Sequence, residues 1–273
     1  MTKKEKGKPF LEIFASALNE DYRFPILEIF AFLYALATFA FASLTSTAIQ
    51  SLVQGDAFAY LLTSSLLGFP LFIFVVLIFK NIAYGIGNDI EKGIVQTYLT
   101  YPLKRRSLLS AKLLSALGIS LLLFLGIQLM GLFALAPDIV GPNIGTVLLT
   151  YVASMSYPFL LTGIILILAL ILRRGGIALV VGIVLYFTAS VIQGILMFLS
   201  YATNSTIGLQ ILSVISPSTA LARYYQFYQA AGLPVGTWQP GLTEVIAYVG
   251  GSYVIVAVVF ALAYLYFSRR LNL

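Results

Sequence analysis

The chain has no cysteine and no histidine, and charged residues make up only 10% of its 273 positions. Without those two side chains it has no disulfide, no thiolate chemistry and no imidazole ligand for a metal or haem. A phosphate-binding loop of the form GxxxxGK[ST] is missing too, so the chain does not cradle ATP in the usual way. Intramembrane proteolysis needs a Ser–His pair, paired aspartates or a zinc site, and none can be assembled. The solid apolar blocks exclude a β-barrel, whose strands alternate over short segments. No cleavable signal peptide is expected, since Lys3, Lys4, Lys6 and Lys8 lead into an amphipathic stretch.

What is present is hydrocarbon: 60% of the residues are hydrophobic. Uncharged runs cover residues 29–55, 57–79, 113–137, 139–172, 175–222 and 245–268. A spanning helix needs about 20 apolar residues, so each run suffices for one crossing. The sequence thus predicts an all-α polytopic membrane protein, one domain over residues 1–273, with six transmembrane helices. Residues 9–23 read as an interfacial amphipathic helix with Phe10, Ile13, Phe14, Ala17 and Leu18 on one stripe. Residues 202–243 read as an outer helical segment rich in aromatics, with a short helix from Ser216, Pro217 and Ser218 that carries Arg223. Those aromatics suit an interfacial belt or a substrate gate. Asn204, Ser205 and Thr206 form a glycan acceptor triplet on that side.

With six crossings both termini share a side. That side holds every lysine and arginine except Arg223, so the positive-inside rule predicts cytoplasmic termini in a cell membrane. The net charge of +6 then reflects topology and contact with anionic lipid headgroups, not nucleic acid. The membrane centres carry only Ser, Thr, Gln and Tyr as polar groups, which disfavours an ion-driven carrier, although backbone-coordinated sodium stays open.

The longest charged segment beyond the amino terminus lies between the second and third runs. In it Ile90, Ile94, Thr97, Tyr98 and Tyr101 recur at helical spacing, and Pro102 ends the pattern. Two readings fit: a short cytoplasmic helix that serves as a lever for a partner, or a solvated loop whose charges fix orientation.

The stretch EKGIVQTYLTYPLKRRSLLSAK resembles the type-2 permeases of ATP-binding-cassette exporters. Glu91, Gly93, Leu99, Pro102, Arg105 or Arg106 and Lys112 fit the family pattern, whereas Ile94 stands where threonine is common. The resemblance implies a permease without catalytic residues or cofactors of its own, paired with a second permease copy and driven by cytoplasmic ATPases that bind ATP and Mg. Residues 81–106 would then be the coupling segment, with Asp89, Glu91, Lys92, Gly93, Tyr98, Pro102, Arg105 and Arg106 facing the ATPase. The family's pathway places candidate lining positions at Thr38, Ser43, Thr45, Ser46, Ser64, Ser65, Thr188, Ser190 and Gln193, and each also reads, more simply, as a helix–helix hydrogen bond. Such a pathway suits a drug, a lipid or a lipid-linked glycan. The alternatives are a membrane scaffold that recruits a cytoplasmic partner, and a secondary carrier.

Overall fold

A computed structural model describes residues 8–22, 25–49, 55–100, 104–203, 205–229 and 238–269, with side chains for all of these except 8, 9, 42, 44–49, 201 and 226–229. The described residues form helices and no strand. In chain order these are α1 (Lys8–Asp21), α2 (Ile26–Ile49), α3 (Asp56–Ile82), a π segment (Ala83–Asn88), α4 (Asp89–Glu91), α5 (Ile94–Thr100), α6 (Arg105–Leu135), α7 (Pro137–Val140), α8 (Ile144–Leu172), α9 (Gly175–Ala202), α10 (Ile207–Ile215), α11 (Ser218–Gln229) and α12 (Leu242–Arg269).

Among the described residues, five helices are long and apolar enough to cross a membrane: Asp56–Glu91, Arg105–Leu135, Ile144–Leu172, Gly175–Ser200 and Leu242–Arg269. A sixth arises only if α1 and α2, bent by 64° at their junction, count as one broken span. Exposed side chains agree with a hydrocarbon solvent. Leu122 and Met130 on α6, Phe198 on α9 and Val254 on α12 are each more than 60% exposed. In water so many exposed apolar groups would form an adhesive surface; in lipid they cost nothing. The chain is a multi-pass membrane protein.

Helices α3 and α8 sit at the centre, each buried over more than half of its apolar window, whereas α9 and α12 are peripheral. Tyr34, Phe74, Phe79 and Phe124 fill the core without exposure, and Phe124 meets Tyr34 edge-on at 5.6 Å. Helix α1 lies against α6, with Ile13 and Ala17 buried and Leu11, Glu12, Ser16 and Asn19 exposed. Phe10, Phe14 and Leu18, expected on the same stripe, are half-buried.

Three differences from the sequence reading matter. The helix expected to stop at residue 79 continues through the π segment to Glu91, so Asp89 stays packed in the bundle instead of surfacing. The single helix expected around Ile90 and Tyr98 is broken at Lys92 and Gly93, where Gly93 has φ +70°. A break there shifts the register: Val95, Tyr98 and Leu99 turn inward, while Ile94 and Thr97 are exposed. Lastly, the expected tight turn at residues 137–143 contains one helical turn, α7. Tyr101, Pro102 and Asn204 lie outside the described residues.

Candidate functional site

A lone lysine inside an apolar helix must find anions or deprotonate. Lys112, 6% exposed on α6, finds three acceptors for its three donors. Its Nζ pairs with Asp89, lies 3.2 Å from Glu20 Oε2 and donates to the Gly85 carbonyl at 2.8 Å. The Tyr98 ring completes the cage, with its centroid 5.9 Å from Nζ. One ammonium thus ties α1, the π segment, α4 and α6 together. The neighbouring Asp21 accepts a hydrogen bond from Ser115 Oγ. Burial pushes its carboxyl up to about 6, against the opposing pull of Ser115, Lys80 and Lys112. Lys80 Nζ donates to Asn81 Oδ1 at 2.9 Å, and Asn81 Nδ2 to Ser120 Oγ at 3.3 Å, which extends the polar seam along α3 and α6. A cleft of about 280 Å³ borders this joint on the side of Glu20, Asp21 and Lys80.

Glu91 adds a second fastening. Its Oε2 accepts the Gly175 N–H at 3.3 Å, at the first residue of α9, where a carboxylate also meets the positive end of the helix dipole. Backbones touch there. A Cβ on Gly87 would sit 3.0 Å from the Gly175 Cα, and one on Gly175 would sit 2.7 Å from the Ala83 carbonyl oxygen. Lys92 is exposed beside the Gly93 turn. Arg105 and Arg106, in the first turn of α6, line a basic cleft with Lys104, Ser268 and Arg269. Among the expected coupling residues, then, Asp89, Glu91, Gly93 and Tyr98 gather at one joint, while Arg105 and Arg106 sit apart from it.

Midway along the bundle Gln128 joins four helices. Its Nε2 donates to Thr38 Oγ1 at 2.8 Å and to the Leu66 carbonyl at 3.2 Å, and Tyr151 donates to its Oε1 at 3.2 Å. The Leu66 carbonyl needs that donor, because Pro70 four residues on has no N–H to give it. Thr38 is fully buried in this network and serves as a helix–helix fastening.

Toward the opposite end, α3, α8, α9 and α11 enclose an open recess of about 400 Å³. Three expected lining positions meet here: Ser64, Ser190 and Gln193. Tyr60, Tyr157 and Tyr186 add aromatic rings, with Tyr157 and Tyr186 6.3 Å apart. Every residue that lines it is uncharged. Tyr60 stacks on Tyr225 at 4.6 Å, which anchors the wall to α11. Of the other lining candidates, Ser65 donates to the Leu62 carbonyl, Ser43 donates to that of Phe39, and Thr188 is exposed on α9. The side chains of Thr45 and Ser46 lie outside those described.

Sequence reasoning missed Glu20, Asp21, Ser115 and Tyr157. The signal for the first two was Lys112 itself, since a cation at that depth demands carboxylates from elsewhere. No group of three or more metal-ligating side chains occurs among the described residues. No protein-family model matches the chain, and no curated protein matches it in sequence.

Proposed function

We propose that the chain is the membrane subunit of an exporter of hydrophobic or amphiphilic molecules, driven by separate ATP-hydrolysing subunits that dock at its charged joint. The observation that supports this is the Lys112 cage: a bundle with no nucleotide loop concentrates its buried charge where α1, α4 and α6 converge. A force applied to the turn at Lys92 and Gly93 passes through the Glu91 hydrogen bond to α9 and through the buried Asp89–Lys112 pair to α6. In this reading α1 lies in the interface, α2 is the sixth span, and the joint faces the cytoplasm with both termini. Two copies pair, ATP and Mg stay on the partners, and the recess is one station of the pathway. The sequence resemblance to type-2 permeases points the same way.

The test is reconstitution with a candidate ATPase. The expected result is that Glu91→Ala lowers substrate-stimulated ATP hydrolysis several-fold while membrane insertion is unchanged. Wild-type export by that variant sinks the coupling role. A complex that hydrolyses ATP but moves nothing favours a scaffold, and gradient-driven uptake without ATP favours a secondary carrier.

A further inference from the structure

We infer that the recess between α3, α8, α9 and α11 is a binding site for the neutral, hydroxyl-bearing head group of an amphiphile, a glycosyl or polyol head whose alkyl tail lies along the exposed face of α9. This deepens the exporter reading and rests on it for the transport role alone.

The first argument is charge. A cationic head desolvated here would meet no carboxylate, and an anionic head would meet no ammonium or guanidinium, so each would give up its hydration uncompensated. The second is the supply of donors and acceptors. Ser64 Oγ donates to the Leu61 carbonyl and Ser190 Oγ to that of Tyr186, so both hydroxyl protons are spent and their lone pairs remain. Pro158 has no N–H to close the α8 turn onto the carbonyl of Ser154, which also lines the recess. These are acceptors. Donors come from Gln193, which has no hydrogen bond among the described residues, and above all from Tyr157. The Tyr157 hydroxyl is buried, lines the recess and, although it interacts with Ser190, forms no hydrogen bond of good geometry. Such a group costs free energy unless something binds it. A site that offers donors and acceptors together, walled by tyrosine rings, matches groups that are themselves both, namely hydroxyls. Third, the volume suits a head group: about 400 Å³ falls in the lower part of the usual small-molecule range of about 300–1,000 Å³. Next to the recess-lining residues of α9, Phe187, Val191 and Phe198 are exposed and apolar, which gives a tail its place.

The experiment uses the full chain in phosphatidylcholine nanodiscs and three radiolabelled probes with the same eight-carbon tail: octyl glucoside, octyltrimethylammonium and octyl sulfate. Octyl glucoside is expected to bind at least about tenfold more tightly than either charged probe. Tyr157→Phe and Gln193→Leu are each expected to weaken it about three- to tenfold, the worth of one hydrogen bond, and to leave the charged probes unchanged. Equal affinity for the three probes overturns the inference, as does glucoside binding that neither variant alters. Because no ATPase is present, that failure removes the head-group site alone. The exporter reading stands or falls on coupled hydrolysis.

Discussion

At the α1 end of the bundle Glu20, Asp21, Asp89 and Lys112 are packed against one another, and every donor of the ammonium is used. At the other end a recess larger than the adjoining cleft contains no charged group and leaves a buried tyrosine hydroxyl unbound. One end is closed by its own contacts; the other is chemically unfinished. A buried ion pair contributes little net stability, because desolvation offsets the attraction, but it fixes geometry, since breaking it strands a charge. The joint is therefore suited to hold helices in register under load. The recess is suited to be completed by something else.

The largest effect expected from this contrast is at Lys112. Lys112→Met leaves two carboxylates in the bundle without their cation, and should destabilise the chain by about 3–5 kcal/mol in thermal unfolding from nanodiscs. Adding Asp89→Asn and Glu20→Gln should return much of that loss, because the stranded charge and not the missing pair is what costs. If the single variant is as stable as the wild type, the joint is not a structural unit.

Next comes pH. Burial favours the protonated form of Asp21, whose folded value of about 6 lies above the ordinary 3.8. The stability it contributes is complete below the ordinary value and is lost as pH rises through about 6, a change of at most about 3 kcal/mol. Ser115, Lys80 and Lys112 limit this loss, and Glu20 increases it. Melting curves between pH 4 and pH 8 should fall with that sign, and Asp21→Asn should flatten them. No carboxylate lines the recess to add to the slope. An unchanged slope in Asp21→Asn places the titration elsewhere.

How much of this was legible beforehand follows from what each feature depends on. The spans were readable because runs without charge record their solvent one residue at a time, although the helices overrun the runs at Glu91 and Arg105 and α9 stops at Ala202, well before its run ends. The joint was not, since Lys112 meets partners 92 and 23 positions away, a pairing fixed by how α1 folds back on α6. Gly93 hid the true face of α5, because its positive φ resets a periodicity that Ile90 and Ile94 seemed to share. Ser64, Ser190 and Gln193 were suspected from the family pattern, but only the fold brings them together and separates them from Thr38. In sequence Tyr157 is one aromatic among many.

Between the two ends, Gln128 tests whether a satisfied but uncharged network behaves like the joint or like the recess. Gln128→Leu removes the donor to Thr38 and to the Leu66 carbonyl that Pro70 orphans, and should cost about 1–2 kcal/mol. That loss should be independent of pH, unlike the one at Asp21. A cost near that of Lys112→Met would mean that charge is not what distinguishes the joint.

The smallest effect is the most discriminating. Tyr151→Phe and Tyr157→Phe delete the same atom from neighbouring turns of α8. The first removes a hydrogen bond to Gln128 Oε1 and should lower stability by about 1 kcal/mol. The second removes a buried hydroxyl that forms no hydrogen bond of good geometry, so stability should stay within about 0.5 kcal/mol of wild type or rise. If Tyr157→Phe costs as much as Tyr151→Phe, its hydroxyl is already satisfied within the chain. The recess would then be as closed as the joint, and the difference between the two ends would reduce to charge alone.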